Sequence, residues 1–137
     1  MKRFAVLSAT LVIGGCGLVG PPPLPREGIV AVASGGTDHL AGLDSLTGEL
    51  RLEDGCVTVA PRDGEPVVPV FRSGAAEVNG ELTKLRWNDK TYAEGSRISI
   101  HGDMLDSFFD LPTWADYFIP GGCPHFERAM LVDHLPE

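Results

Sequence analysis

Basic side chains, cysteines and long apolar runs are all scarce in this sequence, and each scarcity closes off a class of function. Eleven Lys and Arg stand against nineteen Asp and Glu, a formal charge of −8, which disfavours a nucleic-acid partner and electrostatic docking on anionic lipid. Three cysteines and four histidines offer no C-x-x-C or His-x-x-x-His spacing, so the usual zinc motifs are missing. Asp103, Asp106 and Asp110 lack the alternating oxygen ligands and closing bidentate Glu of a calcium loop, and read as turn and capping acids. No Gly-x-Ser-x-Gly elbow or phosphate loop occurs. The sequence therefore carries no motif that assigns a metal, a cofactor or a catalytic residue. The apolar stretch at 4–13 stops at Gly14-Gly15, well short of the ~20 residues that cross a bilayer as a helix.

What is present begins with MKRFAVLSATLVIGGC. Lys2 and Arg3 form a positive start, 4–13 an apolar segment, and Ile13-Gly14-Gly15-Cys16 a small-residue junction. This stretch resembles the signal peptide and lipobox of bacterial lipoproteins. The resemblance implies removal of residues 1–15, lipidation of Cys16 with palmitate-type acyl chains, and a mature protein held on the outer face of a membrane through that anchor. Loss of Lys2 and Arg3 makes the exported protein more acidic still. Residues 16–28, with Pro21, Pro22, Pro23 and Pro25, read as a stiff polyproline-like tether. Residues 29–137 are then one domain.

Export to an oxidising compartment changes the meaning of the remaining cysteines. With Cys16 lipidated, Cys56 and Cys123 are an even pair, and a disulfide between them is the expected state. Closing so long a loop contributes about 4 kcal/mol in the chain-entropy model.

From Ile29 onward the chain runs as short apolar or alternating segments, broken at intervals by Gly, Pro, Asn and Asp. The pattern predicts strands at 29–33, 49–53, 56–60, 67–71, 81–87, 90–92, 97–101 and 129–134. Asp54-Gly55, Asp63-Gly64, Asn79-Gly80 and Asn88-Asp89 supply turn chemistry between them. A mainly β fold follows: a small antiparallel barrel or sandwich, with a short helical segment beginning near Asp110-Leu111-Pro112.

Two resemblances bear on this reading. Residues 30–50 look like one blade repeat of the quinoprotein-type β-propellers, on Asp44, Thr47 and Gly48 of the turn and on Leu43 and Leu50 of its core. The repeat occurs once, whereas a propeller needs several blades, so the match implies only a strand-turn-strand with Asp44 capping the turn and Gly48 left-handed. Residues 48–59, 69–74, 92–103 and 119–124 together are similar to small exported bacterial domains. That similarity implies an antiparallel barrel with Cys56 tied to Cys123, and no reaction.

Half of the aromatic side chains lie between Phe108 and Phe118. Leu105, Leu111 and Ile119 interleave with them and predict burial as a lid on the barrel, with Trp114 and Phe118 on one helical face. Exposed instead, Phe109, Trp114 and Tyr117 would form a binding surface for a sugar, peptide or partner protein. Strand alternation places Arg97, Ser99 and His101 opposite an inward Ile98 and Ile100. The function expected is that of a lipid-anchored envelope protein with a structural or binding role, meeting an envelope protein or cell-wall partner. The rival is a small envelope hydrolase using His101 with Asp103 or Asp106.

Overall fold

A computed structural model describes residues 24–34, 42, 44–52 and 54–132. The stretch read as a signal segment, Cys16, the first part of the expected tether, His39 and His134 lie outside the described residues.

Ten strands form the described fold: β1 (Ala31–Ala33), β2 (Asp44–Arg51), β3 (Thr58–Ala60), β4 (Val67–Arg72), β5 (Ala76–Val78), β6 (Lys84–Trp87), β7 (Lys90–Ala93), β8 (Arg97–Leu105), β9 (Tyr117–Phe118) and β10 (Arg128–Val132). Neighbours in the main sheet run β10-β8-β2-β3-β4, and β10 also pairs with β4, which closes a five-stranded barrel. The closing junction is parallel, as is the pairing of β1 with β4, whereas the other main-sheet pairings are antiparallel. Counted in chain order, the ring strands meet as first, second, third, fifth, fourth and first again. This is the Greek-key order of OB-type barrels. It is a statement about topology, and topology alone carries no activity.

Alternation decides which side chains enter the barrel. In β8, Ile98 and Ile100 are buried while Arg97, Ser99 and His101 are exposed, as the period of two requires. Strand β4 reads VVPVFR and has no polar face, because both its faces are covered. Val67 and Phe71 point into the barrel core with Leu50, Val59, Ile100 and Met130. Val68 and Val70 face a second apolar layer with Ala31, Cys56, Cys123, Ala129 and Leu131. Strand β10 divides the same way, Met130 and Val132 inward, Ala129 and Leu131 outward.

The chain between β4 and β8 forms a separate three-stranded meander, β5-β6-β7. In β6 only alternate residues are buried, Leu85 and Trp87, and both belong to the barrel core. Trp87 meets Phe71 at 5.6 Å between ring centroids and Tyr92 at 6.4 Å. Asn88 and Asp89 take φ of 55° and 62° between paired Trp87 and Lys90, the positive-φ pair that a tight hairpin with native twist needs. Asn79 holds the preceding turn, its Oδ1 accepting the Thr83 and Lys84 N–H groups at 2.8 and 2.9 Å.

Two expectations are corrected. Asp44–Arg51 is one continuous strand, without a turn at Asp44 and without a left-handed Gly48. Asp44 uses its carboxylate instead to accept the Met104 N–H at 2.9 Å. Gly48 is required for another reason: a Cβ there would stand 2.5 Å from the Ala60 carbonyl oxygen. At this point β2 passes from its ladder with β8, which spans Asp44 to Glu49, to its ladder with β3, which begins at Glu49. The second correction is the helix at 110–118. Helical structure among the described residues is confined to two 3-10 turns, Phe108–Asp110 and Cys123–His125. Pairing of Tyr117 and Phe118 with β1 requires extended backbone where the helix was expected.

Candidate functional site

A long connection joins β8 to β10 through residues 106–127, and it is fixed at four points. The first is the disulfide: Cys56, just before β3, bonds Cys123 with their Cα atoms 5.0 Å apart, joining the β2–β3 loop to the β8–β10 connection. The close approach depends on glycines, since a Cβ on Gly122 would run into the Asp54 carbonyl oxygen and the Gly55 backbone. Gly55 itself has φ of 73°, a region that side chains disfavour. The second point is β9, which adds to the edge of β1. Next to it Ser34 and Asp116 exchange hydrogen bonds, the Ser34 N–H donating to the Asp116 carbonyl at 2.8 Å and the Asp116 N–H donating to Ser34 Oγ at 2.9 Å.

The third point is a capped turn. Ser107 Oγ accepts the Phe109 N–H at 3.0 Å, and the Leu111 N–H closes the 3-10 turn on the Phe108 carbonyl. The turn sends neighbouring rings in opposite directions. Phe108 packs on the second apolar layer with Leu111, Tyr117 and Ile119, while Phe109 is 96% exposed. The fourth point is Tyr117, whose hydroxyl donates to the Pro112 carbonyl at 2.7 Å. Burial pushes that hydroxyl above its ordinary value of 10.0.

The aromatic segment thus divides. Trp114, expected against the β core, is instead 38% exposed, in a turn where the helix was expected. Phe109 and Trp114 are presented outward, whereas Tyr117 faces the second layer and anchors the loop. A free-standing phenyl ring in water has no folding role, and here it sits on a backbone ordered by a disulfide, a cap and a strand pairing.

The hydrolase residues are differently placed. His101 is exposed on β8, directly across from Ser45 on β2. Asp103, two residues on along the same strand, is partly buried and accepts the Gly42 N–H at 2.7 Å, so one of its oxygens has a structural task. Asp106 is exposed beyond the strand end. Among the described residues no three His, Cys, Asp or Glu side chains gather as a metal site, and no helix is long and apolar enough to cross a membrane. Neither a family model, a curated protein nor a solved structure matches this chain.

Sequence reasoning missed the first half of β2, the short β5 and β9, and a recess beside Gly48 lined by Arg62 and Arg97. Its two arginines lie far apart in sequence, and only the pairing of β2 with both β3 and β8 brings them to one place. No linear motif announces them.

Proposed function

We propose that this chain is a lipid-anchored, exported binding domain of the bacterial cell envelope. It is tethered through Cys16 and meets an envelope partner, of which a cell-wall glycan fits best, through Phe109 and Trp114. The observation that carries the reading is the outward Phe109 on a preorganised loop. An aromatic platform fixed before binding loses little entropy on association, and its face suits the apolar side of a sugar ring. The acidic composition argues against the nucleic-acid alternative. In OB-type barrels the loops between first and second and between fourth and fifth strands are the ligand-binding loops, and the disulfide here joins those same two connections; this support is analogy of fold. The anchor rests on the Ile13-Gly14-Gly15-Cys16 junction.

The test is capture on purified cell wall and from intact envelopes, with wild type beside Phe109→Ala and Trp114→Ala. We expect Phe109→Ala to lose retention while its stability stays within about 0.5 kcal/mol of wild type, as for other exposed sites. Equal retention of wild type and both variants would overturn the aromatic surface. Metabolic labelling with palmitate tests the anchor independently: label on Cys16→Ser would remove it.

A further inference from the structure

The outer face of the barrel carries a second place with ligand-binding chemistry, away from the aromatic loop in sequence and built by different strands. Where β2 passes from β8 to β3, a recess of about 320 Å³ opens over Thr47, Gly48 and Glu49, with Arg62 on the β3 side and Gly95 and Arg97 on the β8 side. Gly48 brings the two sides of the recess together, since the Ala60 backbone packs where a Cβ would stand.

The charge arrangement is unusual for so acidic a chain. Glu49 is the register partner of Arg97, the position in which a cross-strand ion pair is expected. Its carboxylate lies instead 3.6 Å from Arg51 Nε. Among the described residues neither Arg97 nor Arg62 has a carboxylate within ion-pair distance. Among the described residues, two guanidinium groups therefore border one recess without an ion-pair partner, and Glu49 lines it with them as its one carboxylate. Beside them Thr47 Oγ1 and Ser99 Oγ share a hydrogen bond of 2.7 Å. One hydroxyl donates in that pair, which leaves the other O–H to donate outward.

We infer that this recess is an oxyanion site for a phosphate group, held between Arg62 and Arg97 with the Thr47 hydroxyl as third donor. Guanidinium forks match phosphate oxygens in pairs. The side chains are exposed at the rim, so solvent screens the attraction and the affinity is modest and salt-dependent. The site is independent of the aromatic surface proposed above.

Calorimetric titration of the full chain with inorganic phosphate at low ionic strength tests the inference. Saturable binding is expected at millimolar concentration. Arg62→Gln and Arg97→Gln should each weaken it about tenfold, the scale of one charged hydrogen-bonding partner. Glu49→Gln should strengthen it, because the variant removes the negative charge at the recess. Arg86→Gln is the control, since its guanidinium already bonds Glu77 at 2.6 Å; it should bind as wild type. Circular dichroism confirms that each variant is folded. Displacement of inorganic phosphate by soluble glycerol phosphate, or by vesicles containing phosphatidylglycerol, then tells whether the group belongs to a soluble polymer or a lipid headgroup; displacement by neither assigns it to free phosphate. Absence of saturable binding, or equal binding by the Arg62→Gln/Arg97→Gln double variant, would overturn the site.

Discussion

Two single residues show how little latitude the barrel leaves. Gly48 has an ordinary strand conformation, yet its missing Cβ is what lets β2 pass against Ala60. Gly48→Ala should destabilise the fold by about 1–3 kcal/mol, the usual penalty for overpacking, read as a lower denaturation midpoint with unchanged slope. Tyr117 predicts a pH dependence. Burial holds its proton more tightly in the folded than in the unfolded chain, so this contribution to stability is complete below the ordinary tyrosine value. It is lost as pH rises through the higher folded value, because the unfolded state releases its proton first. Tyr117→Phe should cost about 0.5–1.5 kcal/mol near neutrality for the bond to Pro112, and its melts should show a shallower decline above pH 10.0 than those of wild type.

At the scale of elements, the meander β5-β6-β7 stands between the third and fourth ring strands and closes the core with Leu85 and Trp87. Its tight hairpin uses Asp89 at φ of 62°, where glycine is at ease. Asp89→Gly should therefore raise stability by about 0.5–1 kcal/mol, since Asn-Gly is the preferred pair for such a turn; a thermal melt below wild type would contradict the turn geometry. This hairpin was readable from Asn88-Asp89 between alternating strands. The helix expected at Pro112 was misread because local preference for a helix start competes with pairing of Tyr117 to Ala33. That pairing joins residues remote in sequence, and it prevails because the edge of β1 offers hydrogen bonds that a short isolated helix would have to find in water.

For the molecule as a whole, the disulfide closes a separation of 67 residues and ties the second apolar layer to the barrel. Reduction, or Cys123→Ala, should lower stability by about 2–5 kcal/mol, the usual cost of removing a native disulfide from a small domain, measured by melts with and without reductant. Intact mass after alkylation checks the state directly: two alkylatable thiols at Cys56 and Cys123 in the unreduced protein would contradict the bond. The acidic charge is spread over a molecule whose candidate sites are one aromatic loop and one arginine-bordered recess, and the two are separable by the variants given above.

The sequence by itself determined the β class, the strand segments around 56–60, 67–71, 90–92 and 97–101, the hairpin at Asn88-Asp89 and the partnership of Cys56 with Cys123. The strands and the hairpin depend on local alternation and on turn residues that accept positive φ, properties of short stretches of chain; the cysteine pairing followed once Cys16 was set aside as the expected lipidation residue. Only the tertiary structure decided that β4 closes the ring in parallel with β10, that Phe109 stands out into water while Phe108 and Tyr117 pack on the second apolar layer, and that Arg62 and Arg97 border one recess. Each of these turns on which distant strand lies alongside, and that is fixed by the simultaneous burial of two apolar layers rather than by any segment alone.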